Sequence, residues 1–236
     1  RPIKTVLHDM RSVGCVLVRL RTDEGITGES FVFTLNGARL RSLDEMVRGF
    51  AHQVEGKDPH FVSAIGAAMW TEMNPIGHAG FSIAALAAVD MACWDIIGKA
   101  ASQPLHHVFG ASRSTVDTYA SSGLWLSQSI DDCVEEAGRF TDLGFRGIKL
   151  RLGSPHQDID IERVRAVRAA IGDNVELLVD INQGLDVKRA IALARALEPF
   201  SLRWIEEPVD YQNLEGHTKV RQATSIPIAS GETEYT

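Results

Sequence analysis

The sequence predicts a small α+β domain followed by part of a parallel (β/α) barrel, with about five βα units present. Three observations carry this. From about residue 114 onward, short apolar strand-like segments alternate with helix-like ones, and a βαβα series predicts a parallel sheet, doubly wound or closed as a barrel. Before that point the texture differs: two β-rich runs come first and helical patterns follow. Finally, one interval of 26 residues separates Asp180 from Glu206 and Glu206 from Glu232. Each acid stands at or near the C-terminal end of a predicted strand, the end at which barrel active sites lie.

Residues 14–21 (GCVLVRLR) and 26–33 (ITGESFVF) are β-rich and alternate in part. Thr22-Asp23-Glu24-Gly25 between them is a turn, so an antiparallel hairpin is predicted. Residues 42–54 open with Ser42 and place Glu45 three residues later, the spacing of a capping box. Residues 81–101 are Ala-rich and apolar almost all round, as in a helix buried on most of its surface. It is expected to end near Gly98-Lys99, with Pro104 just beyond. The domain boundaries are set at 1–113 and 114–236. In the second part, strands are predicted at 116–121, 147–152, 176–182, 203–207 and 227–231, and helices at 129–143, 158–171, 187–197 and 213–223. Ser129 and Asp131 fit a helix start; Gly144 and Gly172 fit helix ends. Eight strands close such a barrel, so further units are expected beyond Thr236, and the start at Arg1 rather than Met places the natural N-terminus upstream.

Composition excludes several classes. Of the 236 residues, 44% are hydrophobic and 23% charged, ordinary values for a globular chain and unlike a disordered, collagen-like or coiled-coil one. The longest wholly apolar run is far short of the roughly 20 residues that span a bilayer, so no membrane partner is expected. A net charge of −7 argues against nucleic-acid binding. Cys15, Cys93 and Cys133 are scattered, without a CxxC or zinc spacing, and read as reduced thiols of a cytoplasmic protein.

Three carboxylates converging from neighbouring strands repel one another, and without a counter-charge one is pushed to take up a proton. A divalent cation removes the conflict, and an all-oxygen set favours Mg²⁺ or Mn²⁺ over zinc. Taken singly, each acid suits a helix cap or a surface ion pair equally well; the constant spacing favours a shared role. Residues two apart on a strand face the same way, so Arg151 is expected to point with Lys149, and Asn182 with Asp180. Lys149 and Arg151 lie in an apolar segment, GIKLRL. If that segment is buried, its cations need anions inside the barrel, either the carboxylates or an anionic substrate. The alternative is a solvated polar face on an edge strand.

The segments GFRGIKLR (144–151), VDINQ (179–183), WIEEP (204–208) and Gly231-Glu232, with the helix AAVDMACWDIIGK (87–99), resemble the mandelate racemase subgroup of the enolase superfamily, over nearly the whole chain. The resemblance implies a capping domain before a TIM-like, enolase-type barrel, with residues 3–13 as a lid loop over the site. It implies Mg²⁺ ligation by Asp180, Glu206 and Glu232, with Mn²⁺ possible. It implies that Lys149 helps neutralise a small-molecule carboxylate substrate and that Asn182 is a polar residue contacting the substrate or lying in the shell around the metal. Ser121, at the end of the first barrel strand, is a further candidate substrate contact. It also implies a homo-oligomer, either an octamer or dimer-based.

The implied chemistry is removal of a proton α to a carboxylate through an enediolate, which a dication and Lys149 stabilise more than the substrate. One position departs from the pattern: the family's second lysine, a general base, is Arg151 here. A guanidinium stays protonated near neutral pH and is a poor base. That weakens a two-base racemisation and leaves a one-base reaction, dehydration of an acid sugar (an aldonate or aldarate) to a 2-keto-3-deoxy acid. The alternatives are a racemase, epimerase or lactone cycloisomerase, and a non-catalytic barrel that keeps the metal site. The second base of the family, a His paired with an Asp on strands six and seven, is expected beyond Thr236. His8, His78, His106 and His107 read as surface or structural residues, and Trp94 and Trp204 as packing residues.

Overall fold

The computed structural model describes residues 3–235. The chain divides into two units: one comprises residues 11–115 with Tyr235, and the other comprises residues 3–10 and 116–234, called here the barrel unit.

In the first unit, strand β3 (Val13–Arg21) pairs antiparallel with β4 (Thr27–Leu35), from Val13 opposite Leu35 to Arg21 opposite Thr27. The turn closes through Thr22, whose N–H donates to Ile26 O at 2.9 Å and whose hydroxyl accepts from Ile26 N at 3.0 Å. Alternation sends Val16 and Val18 into the core and leaves Leu17, Phe31 and Phe33 exposed on the other face. The core side packs on α4 (Phe81–Ala100), whose Ala85, Ala88, Val89, Ala92 and Cys93 are buried. A side chain at Gly28 would stand 2.1 Å from Ala92 O, so only glycine lets β4 lie this close to α4. By length and composition α4 is apolar enough to cross a membrane, which the sequence reading did not expect. Half of that stretch is buried inside the protein, and the helix carries Asp90, Asp95 and Lys99, as a core helix does.

The helix expected at 42–54 begins earlier and is broken. Helix α1 (Leu40–Gly49) starts after Arg39, which adopts a left-handed conformation without a side-chain cap, and the Ser42–Glu45 box does not form. A short α2 (Ala51–Val54) follows. Helix α3 (Val62–Glu72) is absent from the sequence reading, because its apolar residues are spread around the helix and Gly66 interrupts them. A further short helix, α5 (Leu105–Val108), holds His106 and His107 with their rings 4.3 Å apart. His78 stacks on Trp70 at 3.9 Å and Trp94 packs edge-on against Phe109, so these residues are structural.

In the barrel unit, β1 (Ile3–Lys4) and β2 (Asp9–Met10) form a small hairpin. After it come α6 (Ile130–Asp142), β5 (Gly147–Arg151), α7 (Gln157–Ile171), β6 (Glu176–Asp180), α8 (Val187–Leu197), β7 (Leu202–Glu206), α9 (Leu214–Ala223) and β8 (Ile228–Ala229). The last four strands form one parallel sheet in the order β5-β6-β7-β8, as the alternating pattern predicts. The strand expected at 116–121 is reduced to one parallel bridge, Ala120 opposite Ile148. The caps are local and sequence-encoded: Ser129 and Asp132 form a capping box on α6, and Asp186 accepts from Arg189 N on α8. The core is aliphatic, with Ile148, Leu150, Val164, Leu177, Val179 and Leu193 at 2% exposure or less.

Candidate metal and carboxylate site

Every residue of β5 is buried, so Lys149 and Arg151, on one face of it, are enclosed cations. Their partners come from the next strands. Asp180 ends β6 and pairs in register with Arg151 on one side and Glu206 on the other. Lys149 Nζ donates to Glu206 Oε1 at 2.7 Å and lies 3.3 Å from Asp180 Oδ2. Arg151 Nε is 3.5 Å from the same Asp180 oxygen, too long for a good hydrogen bond. Its guanidinium lies over the Trp125 ring at 4.8 Å. Arg151 Nε and Nη1 and Asp180 Oδ2 are buried without a hydrogen bond.

Asp180 and Glu206 therefore stand level, but Glu232 does not share their register. Glu206 pairs with Ala229, three residues before Glu232, and β8 ends there. Glu232 is reached through Ser230 and Gly231, the latter at φ 137°, and remains open to solvent. A cavity of about 210 Å³ lies between the ends of β7 and β8, lined by Glu206, Glu207, Ala229, Ser230, Gly231 and Glu232. A larger groove, about 1070 Å³, lies wholly within the first unit, with an apolar floor (Val16, Val47, Phe50) and a mixed-sign rim (Arg19, Asp44, Lys57).

Negative charge is in excess here. Burial pushes the Asp180 carboxyl up, and Glu206 adds to this against the pull of Arg151 and Lys149. The Glu232 carboxyl, though its side chain reaches solvent, is raised by the desolvation of the surrounding protein and then by repulsion from Asp180 and Glu206, against the pull of Lys149 and Arg151. Glu207, buried beside them, is pushed up to about 7, by burial first and then by Glu232 and Asp180, against a hydrogen bond from Gln183. Among the described residues no three acidic, His or Cys side chains close around one point; Lys149 Nζ lies between Asp180 and Glu206. In kind, the residues suit a hard divalent cation: oxygen donors only, one buried oxygen without a hydrogen bond, and carboxylates raised by their neighbours.

The other expected residues are placed differently. Asn182 lies past the end of β6 at φ 46°, where strand alternation no longer sets its direction; its backbone N–H donates to Asp180 Oδ1 at 2.9 Å. Ser121 directly follows the Ala120 bridge and is half-buried, with no hydrogen bond to the carboxylates among the described residues. Residues 3–10 belong to the barrel unit, and Val6 at the hairpin tip seats against Gly153 and Gly184, just past the ends of β5 and β6. Added side chains at those glycines would stand 2.1 and 2.4 Å from Val6 methyls. His8, in the same turn, is exposed.

Several contributors escaped the sequence reading. Trp204 packs edge-on against Tyr119, as a packing residue does, but its Nε1 also donates to Glu206 Oε2 at 3.1 Å. The i, i+2 spacing of Trp204 and Glu206 was the available signal. Trp125, Gln183 and Glu207 carried no signal, because loop residues at strand ends have no period to read.

Two family models match, the mandelate racemase/muconate lactonizing enzyme N-terminal domain over residues 1–110 and the enolase C-terminal domain-like model over residues 132–236. This chain belongs to the mandelate racemase/muconate lactonizing enzyme family of the enolase superfamily. Its fold is accordingly that family's N-terminal domain followed by part of its barrel domain. An L-talarate/galactarate dehydratase of Salmonella typhimurium is 33% identical over 94% of this chain and 56% of its own length. Its crystal structure with Mg and L-lyxarohydroxamate superposes with a TM-score of 0.93 at 32% identity, covering 98% of this chain and 61% of that one. A 3,6-anhydro-alpha-L-galactonate cycloisomerase of Streptomyces coelicolor is 35% identical over 100% of this chain and 66% of its own. A racemase structure from the same organism, with bound magnesium, gives a TM-score of 0.94 at 34% identity over 99% of this chain and 65% of that one. The chain thus spans 56% and 66% of the lengths of these two curated relatives.

Proposed function

We propose that the intact protein is a lyase that dehydrates an acid sugar, an aldonate or aldarate, to a 2-keto-3-deoxy acid, beginning with loss of the proton α to the carboxylate. The observation that carries this is the buried pair Lys149 and Arg151 facing a surplus of carboxylates at the strand ends. Asp180, Glu206 and Glu232 would hold Mg²⁺, or Mn²⁺ in its place; when bound, the ion supplies Lewis-acid stabilisation of charge developing on the substrate carboxylate. Lys149 adds a fixed positive charge beside the same oxygens, and a preorganised charge favours the more negative transition state over the substrate. A guanidinium is a poor general base; the role of Arg151 is to bind an anionic or hydroxyl oxygen through Nε and Nη1, with the Trp125 ring behind it. Asn182 and Ser121 border the substrate, and the 3–10 hairpin, seated through Val6, limits water at the strand ends.

The relatives named above support an acid-sugar substrate, and the Streptomyces cycloisomerase keeps a second reading open, epimerisation or cycloisomerisation of a related acid. Arg151 in the base position favours dehydration. A cytoplasmic homo-oligomer, dimer-based or octameric, completes the proposal. The test is a panel of aldonates and aldarates with Mg²⁺, followed by proton NMR in D₂O. A 2-keto-3-deoxy product that disappears with EDTA is expected. Exchange of the α-proton without dehydration would replace this reading with the isomerase one, and neither exchange nor product would overturn both.

A further inference from the structure

We propose that Gln183 is a positioning residue that sets Glu232 relative to the register-paired Asp180 and Glu206, acting through Glu207 and Thr233. The proposal rests on the reading of Asp180, Glu206 and Glu232 as ligands of a divalent cation. Gln183 lies three residues after Asp180 and bonds to the loops that follow both other acids. Its backbone N–H donates to Glu207 O at 2.7 Å. Its Nε2 donates to Glu207 Oε2 at 3.1 Å and to Thr233 Oγ1 at 2.9 Å, and its Oε1 accepts from Tyr211 N at 3.2 Å. One amide thus uses both of its N–H groups and its carbonyl on two neighbouring loops.

Strand pairing sets Asp180 level with Glu206 but does not reach Glu232. The sheet's pairing with β8 stops at Glu206–Ala229, before Glu232 is reached. Among the described residues, the hydrogen bond from Gln183 to Thr233 is the one that ties 231–234 to the neighbouring strand ends. The backbone there is also strained: Asn182, Gln183 and Glu207 have φ of 46°, 63° and 41°, left-handed values that non-glycine residues keep only where surrounding contacts hold them. Glu207 Oε1 is buried without a partner, so the Gln183 bond is the side-chain hydrogen bond Glu207 has. Removing the amide releases Glu207 beside Glu206 and Thr233 beside Glu232 together.

The experiment is titration of the intact protein with Mg²⁺ alone by calorimetry, with unfolding of the metal-free protein in parallel. Gln183→Ala and the similarly sized Gln183→Met, which has no N–H to donate to Glu207 or Thr233, are expected to weaken Mg²⁺ binding about 10-fold or more, as loss of a partner behind a ligand does. Thr233→Val, losing one hydrogen bond, should weaken it about 5-fold. Adding Thr233→Val to Gln183→Ala should change little, because both remove the same link. Glu206→Gln serves as the control. If Glu206→Gln leaves Mg²⁺ affinity unchanged, the ligand reading fails and the proposal with it. If Glu206→Gln abolishes binding while Gln183→Ala and Gln183→Met bind within 2-fold of wild type, Gln183 is not a positioning residue, however much its loss lowers the unfolding temperature.

Discussion

In the unit formed by residues 11–115 the buried polar side chains are Thr34 and Ser82, both uncharged; in the barrel unit they include Lys149, Arg151, Asp160, Arg163, Asp180 and Glu207. Burying a charge is costly unless partners satisfy it. Two of these charges are largely satisfied within the fold. Asp160 accepts from the N–H groups of Gly153 and Ser154, and Arg163 donates to the carbonyls of Gln128 and Trp125. The other four crowd the strand ends and leave Arg151 Nε and Nη1, Asp180 Oδ2 and Glu207 Oε1 without hydrogen bonds. An unmet buried polar atom costs about 1–3 kcal/mol, offset in part here by the ion pairs of Asp180 Oδ2 with Lys149 at 3.3 Å and Arg151 at 3.5 Å. The contrast separates an apolar core without buried charge from an apolar core that also carries unmet charge at its strand ends, the cost that the proposed ligand would relieve.

The largest expected effect tests the charged core. Glu206→Gln should lower turnover at least about 10³-fold, equivalent to ~4 kcal/mol. Its stability should stay within about 1 kcal/mol of wild type, because carboxylates outnumber cations there and Lys149 keeps Asp180 at 3.3 Å. Steady-state kinetics and urea unfolding on one preparation decide it; a stability loss as large as the turnover loss breaks the comparison. The reverse is expected of Leu43→Ala in the first unit, where Leu43 is 0% exposed: about 2–5 kcal/mol lost in urea unfolding, with KM of the folded protein unchanged. A cost below about 1 kcal/mol would mean that this core is loosely packed. The smallest effect compares the two cores through their thiols. Burial, with Asp90 nearby, pushes Cys93 of the first unit up to about 11, and burial raises Cys133 of the barrel unit against the opposing charge of Arg163. A thiol with a pKa of about 11 is roughly 10⁻³ thiolate at pH 8, whereas Cys15 is exposed. One thiol per chain should react at once with a disulfide reagent at pH 8, and the other two only on unfolding; raising urea then shows which unit opens first. Prompt reaction of two or more thiols would overturn the closed-core description.

Much of this was legible in the chain itself. Alternating apolar segments and helix caps act within a few residues, so the βα order, the hairpin at 13–35 and the long helix at 81–100 follow from local pattern. The repeat of Asp180, Glu206 and Glu232 by one βα unit, and the i, i+2 spacing of Lys149 and Arg151, marked these residues as candidates by the same periodicity. Pattern failed where no period exists. It placed a strand at 116–121 and a capping box at Ser42, because composition favours both and packing allows neither. It did not show that Glu232 lies three residues past Ala229, the residue that pairs with Glu206, since spacing along the chain does not fix where a parallel strand begins to pair. The left-handed turns at Asn182, Gln183 and Glu207, the indole of Trp204 on Glu206 and the seat of Val6 against two glycines belong to the tertiary structure alone. Each joins residues distant in sequence or held against their own backbone preference. The sequence by itself therefore determined which chemical groups are present and on which strands. The assembled sheet decided their heights, partners and unmet hydrogen bonds, because those depend on distances that exist only once the strands have paired.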